Sequence, residues 1–106
     1  MNTKFLIIFC TIPDEDSALA ISKALVNEKL AACCNIVRGL RSIYSWKDTM
    51  YDDSELLLII KSKTSTFEEL EKRIIDLHPY EVPEILAVPV HKGNENYLKW
   101  IEENVR

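Results

Sequence analysis

A chain of 106 residues fits a single domain, here 1–106, and can bury roughly two-thirds of the surface that its unfolded form exposes. Apolar residues make up 47% and charged residues 28%, a globular balance that excludes a disordered chain. Thirteen Lys and Arg against seventeen Asp and Glu leave a net charge of −4, which argues against nucleic acid as a partner, because phosphate binding needs a basic field.

Lys4 to Thr11 reads as a strand of β-branched and aromatic residues closed by Pro13. Its apolar run, Phe5 to Cys10, is too short to span a bilayer and lacks the length of a secretory signal, so a soluble, cytoplasmic protein with no membrane partner is expected. Asp14 to Leu30 reads as a helix, capped by Asp14, with Ala18, Ile21 and Leu25 on one face. Ala32 to Trp46 reads as a long strand broken by a bulge or bend at Gly39. Lys47 to Asp53 reads as a polar hairpin connection. Ser54 to Ser62 follows as a strand centred on Leu56 to Ile60. Thr66-Phe67-Glu68-Glu69 fits a capping box, opening a helix with Phe67, Leu70, Ile74 and Leu77 inward; Pro79 ends it. Glu84 to Val90 reads as a short strand. Asn94 caps a last helix with Leu98, Ile101 and Val105 inward.

The order βαββαβα predicts an α+β, ferredoxin-like sandwich: an antiparallel sheet with helices on one face and an extra C-terminal helix. The first and third strands should be central, since they are the most continuously apolar. Pro89 places the fourth at an edge. A sheet covered on one face should alternate apolar and polar residues, yet the two central strands do not. The last helix is short, so other subunits are expected to complete the cover.

Few residues offer chemistry. Two glycines leave no glycine-rich phosphate cradle, and no nucleophile-elbow motif occurs. Cys10 ends the first strand and reads locally as a small buried hydrophobe. Cys33 and Cys34 are adjacent, point to opposite faces and suit core packing better than chelation. The odd cysteine count, without framework spacing, agrees with a reducing compartment. His78 sits at a helix C-terminus, where a structural role competes with metal ligation. His91 lies in a loop and reads as solvated. Most carboxylates belong to helix ends, helix surfaces or the hairpin; Glu84 is the exception, placed at the end of the sheet. The rigid segment His78 to Glu84 holds two prolines, and either shapes a pocket or simply connects helix to strand. Tyr44 and Trp46 share a strand face, either as a patch buried between subunits, the simpler reading, or as the wall of a small-ligand cleft.

Several segments together carry a family resemblance: Cys10-Thr11-Ile12-Pro13-Asp14, Leu30 to Ile36, Ser42-Ile43-Tyr44-Ser45-Trp46, Glu55 to Lys61, His78-Pro79-Tyr80-Glu81-Val82-Pro83-Glu84-Ile85 and Tyr97 to Ile101. Over nearly its whole length the chain resembles the CutA divalent-cation tolerance family. The resemblance implies a ferredoxin-like subunit in a tight homotrimer. It also implies a non-catalytic role in tolerance of copper and other divalent metals, with copper as the bound ion. The family's copper ligands fall on Cys10 and His78. Where some members carry a second histidine, this chain has Leu77, which removes one ligand. Where members often have glycine after the tryptophan, it has Asp48, which tolerates a left-handed turn. The alternative function is a signalling or scaffold trimer that binds a small molecule or a protein in clefts between subunits, lined by Tyr44, Trp46, Tyr80 and Glu84. A small enzyme of similar fold, such as an acylphosphatase, ranks last, because the loop Thr11 to Asp16 is acidic and lacks glycine.

Overall fold

The computed structural model describes residues 3–106. Its elements are β1 (Phe5–Ile12), α1 (Glu15–Asn27), β2 (Cys33–Trp46), β3 (Thr49–Lys63), a 3-10 turn at Thr64–Thr66, α2 (Phe67–Leu77), β4 (Leu86–Pro89) and α3 (Glu95–Asn104). All strand pairs are antiparallel, in the order β2-β3-β1-β4. The apolar strands β1 and β3 are therefore central, and β4, with Pro89, is an edge.

The core follows from strand alternation. Ile8, Cys10 and Ile12 of β1 lie opposite Ile60, Leu58 and Leu56 of β3 and point to one face. On that face they pack against Ala18, Ile21 and Leu25 of α1 and Leu70 and Ile74 of α2. The opposite face carries Ile7, Phe9, Leu57 and Ile59, with Leu86, Val88 and Val37 from the flanking strands. Helix α3 covers only one end of it, where Ile101 and Val105 pack on Ala32 and Phe5. Among the described residues nothing else covers the rest, and Leu86 stands 62% exposed.

Several boundaries differ from the sequence reading, each for a local reason. Helix α1 is capped by Asp14, whose carboxylate accepts the Ser17 N–H at 2.7 Å. It stops before Leu30 because Lys29 takes a left-handed conformation (φ 59) and the Leu30 N–H bonds back to the Leu25 carbonyl. No glycine marks this stop. The hairpin connection is only Lys47-Asp48, both at positive φ (50 and 64), as a tight mirror-image turn requires. Asp52 and Asp53 are therefore strand residues, on an arm that leaves the body of the sheet. There Arg41 grips Asp52 through paired hydrogen bonds of 2.8 and 2.7 Å. The capping box at Thr66 does not form: its hydroxyl donates to the Arg106 carbonyl, and the 3-10 turn leads into α2 instead. β4 begins at Leu86, so Glu84 belongs to the preceding loop. Cys33 and Cys34 are only partly covered, because β2 is the other edge of the sheet.

β2 carries the expected irregularity. Its register on β3 shifts between Val37 and Leu40, and Gly39 sits at φ +86. The shift reverses side-chain parity. Val37, before it, shares a face with Leu40, Ser42, Tyr44 and Trp46 beyond it. Any residue with a Cβ is strained at that φ, though open space surrounds the position. Gly39→Val should therefore lower the unfolding free energy by about 1–2 kcal/mol. Urea unfolding measures it, and an unchanged midpoint at unchanged slope would contradict the bulge as described.

Candidate ligand cleft and the Cys10–His78 pair

Where β1 ends and the β2–β3 arm departs, the uncovered face of the sheet hollows into a cleft of about 630 Å³. The bulge aims Tyr44 and Trp46 into it, β3 contributes Tyr51 and Glu55, and β1 contributes Thr11, its next-to-last residue. The loop between α2 and β4 closes one side with Tyr80, Glu81, Val82 and Glu84. The four residues expected to line a cleft, Tyr44, Trp46, Tyr80 and Glu84, thus border one cavity.

Its deepest polar group is Glu55, 5% exposed although it stands in an apolar strand. The Tyr80 hydroxyl donates to its Oε2 at 2.7 Å. Burial, with the Glu55 carboxylate beside it, pushes the Tyr80 phenol upward. Tyr44 donates to Asp53 at 2.6 Å and stacks on Tyr51 with ring centroids 5.3 Å apart. The Asp53 bond lifts Tyr44 from 10 to about 12. Sequence reasoning missed Glu55, Tyr51 and Thr11. A lone carboxylate adjoining five consecutive apolar residues, on the strand face that carries Leu57 and Ile59, was the available signal for Glu55.

The loop is anchored by His78. Its Nε2–H donates to the Thr11 carbonyl at 2.8 Å, and its Nδ1 accepts the Tyr80 backbone N–H at 3.0 Å. A carbonyl can only accept and an N–H can only donate, so these partners select the neutral tautomer protonated at Nε2. The Cys10 thiol approaches the same Thr11 oxygen at 3.9 Å. Cys10 and His78 are therefore neighbours around one carbonyl. They are not open ligands as folded. Cys10 is fully buried, and burial, then the nearby Glu84, pushes its thiol from 9 to about 12. Both His78 nitrogens are engaged. Among the described residues no group of three or more His, Cys, Asp or Glu side chains is arranged to hold a metal ion. His91 is exposed in its loop.

The raised phenols have a consequence at high pH. A tyrosine whose proton is held more tightly when folded stabilises fully below its unfolded value and loses that contribution as pH rises through the folded one. For Tyr44 the window runs from pH 10 to about 12, and Tyr80 shifts in the same direction. Stability measured across that window should fall less in Tyr44→Phe than in the unaltered protein; equal losses would contradict the Asp53 bond. At neutral pH, Tyr80→Phe removes the donor from buried Glu55 and should cost about 1–3 kcal/mol in denaturant unfolding.

Comparison with known proteins places this architecture. The family model described as CutA1 divalent ion tolerance protein matches residues 6–104. A divalent-cation tolerance protein CutA from Thermus thermophilus is 51% identical over 98 residues, covering 92% of this chain and 95% of that protein. The solved structure of a Thermus thermophilus divalent cation tolerance protein superposes with a TM-score of 0.94, covering 96% of this chain and 99% of that one at 49% identity. The CutA1 structure from a psychrotrophic Shewanella gives a TM-score of 0.95 at 41% identity, over 99% and 98% of the two chains. A relative from Arabidopsis thaliana, named as chloroplastic, is 39% identical over 95% of this chain, which spans only 56% of that protein's length. With the family model covering almost every described residue and a half-identical relative spanned nearly end to end, the chain belongs to the CutA1 divalent ion tolerance family.

Proposed function

We propose that the protein serves divalent-cation tolerance as a non-catalytic homotrimer that responds to a ligand held in the cleft between the β2–β3 arm and the 78–85 loop. The observation that carries this reading is Glu55: a buried carboxylate beside a cavity with aromatic walls is a binding arrangement, and it sits where the uncovered face of the sheet ends. That face supports the assembly. Leu86, Val88 and Val37 are exposed beside Ile7, Phe9, Leu57 and Ile59, a continuous apolar surface that a lone subunit would leave in water. Packing copies face to face around a closed axis removes it and brings the clefts toward the subunit boundaries. Three cysteines, all free thiols, suit a reducing compartment, and we place the protein in the cytoplasm. The Arabidopsis relative is named as chloroplastic.

Copper is the second reading, favoured by the convergence of Cys10 and His78 on the Thr11 carbonyl. A thiol and an imidazole are soft donors that suit copper over magnesium or calcium. Ligation requires the buried thiol to lose its proton and the His78 ring to give up a hydrogen bond, so this pair would bind only with local rearrangement.

Light scattering on the purified protein should give three times 12.3 kDa, and Leu86→Glu with Val88→Glu should shift it toward the single subunit. A monomer before any substitution sinks the trimer. For copper, titration with Cu(I) should show weaker uptake by Cys10→Ser than by the parent, and equal uptake removes the pair from consideration. Cys10→Ser is the cleaner variant, because His78→Ala also frees the Tyr80 loop.

A further inference from the structure

We infer that the cleft selects an organic cation, a primary ammonium or guanidinium carried on an aromatic or aliphatic body. The inference rests on the reading of the cleft as a ligand site and deepens it by naming the ligand's chemical class.

The first argument is a carboxylate with an unfilled acceptor oxygen. Glu55 is 5% exposed, and only its Oε2 accepts a hydrogen bond, from Tyr80. Among the described residues its Oε1 has no hydrogen-bond donor, and no Lys, Arg or His stands within ion-pair distance of either oxygen. Oε1 is not among the fully buried atoms and Glu55 lines the cavity, so a ligand ammonium there supplies both an opposite charge and the missing donor. The second argument is the wall. Tyr44, Trp46, Tyr51 and Tyr80 border the cavity, and the stacked Tyr44–Tyr51 pair presents a flat aromatic surface. Ring faces attract cations and accept apolar bodies alike. The protein's own Lys47 shows the pattern at the rim, with its ammonium 5.7 Å from the centre of the Trp46 ring and 3.9 Å from Glu81.

Size and charge exclude the other occupants. About 630 Å³ suits a small organic molecule, far more space than one ion fills, and the described carboxylates form no three-ligand group for a metal. An anion would meet Glu55 and Glu84, and among the described residues the cavity lining holds no Lys, Arg or His; Lys47 at the rim is already paired with Glu81.

Calorimetric titration of the intact protein with phenethylamine, its neutral isostere phenylethanol and the anion phenylacetate tests the inference. The amine should bind at least about tenfold more tightly than the alcohol, the weight of one charge-assisted hydrogen bond, and the anion should give no heat. In Glu55→Gln, which keeps an acceptor for Tyr80, the amine should fall to the affinity of the alcohol. The comparison of probes on the unaltered protein stands whether or not that variant folds. Alcohol binding as tightly as amine overturns the selectivity while leaving the cleft a ligand site. Absence of binding by all probes overturns the inference and the cleft reading together.

Discussion

Side chains along β1 and β3 alternate between two faces of one sheet, and the chain owns enough helix to cover one of them. Ile8, Cys10, Ile12, Leu58 and Ile60 disappear beneath α1 and α2, while Ile7, Phe9, Leu57 and Ile59 face the other way. Helix α3 reaches only the Phe5 end. The second face carries the apolar surface left open and, at its far end, the cleft, whereas Cys10 lies on the first, beneath α1 and α2. A sequence that made these strands alternate would give a more self-sufficient monomer and no such surface.

The bulge at Gly39 sets what that face presents. Without the register shift Tyr44 and Trp46 would follow the parity of Cys34 and Ile36 and point to the helix side of the sheet. The arm has no helix beneath it there. With the shift, they line up with Glu55, Asp53 and Tyr51 across the strand pair. One residue in a left-handed conformation thereby converts the arm from a solvent-exposed hairpin into one wall of a cavity. Arg38, next to the bulge, pairs with Glu15 at the start of α1, which ties the irregularity to the helix layer.

The sequence made the element order, the central strands, the Pro89 edge and the bulge legible, because each depends on local composition: β-branched runs, a missing N–H, a lone glycine. It said less about endings. Lys29 and Lys47 adopt conformations that glycine usually marks, so the helix stop and the tight turn had no conspicuous residue. Thr66 had the spacing of a capping box, but its hydroxyl is claimed by the Arg106 carbonyl, a contact between residues far apart in the chain. Tyr44, Trp46, Tyr80 and Glu84 could be grouped through the family resemblance. Glu55 could not, because its burial depends on the parity of β3 and on a tyrosine that folds back over it.

The Cys10–His78 pair and the cleft are one hydrogen-bonded unit. From the Thr11 carbonyl the bonds run to His78 Nε2, from Nδ1 to the Tyr80 N–H, and from the Tyr80 hydroxyl to Glu55. Each bond fixes the next. The Thr11 carbonyl orients the imidazole, the bare Nδ1 seats the backbone of Tyr80, and that seat brings the phenol within 2.7 Å of the buried carboxylate. His78 ends α2 and Thr11 ends next to α1, so the unit joins the helix layer to the cleft wall across β1. A ligand at Glu55 and a disturbance at His78 would therefore act on the same tyrosine from opposite ends. A site for a small cation and a site sensitive to a soft metal would, in this fold, be coupled through Tyr80 without any change in the sheet.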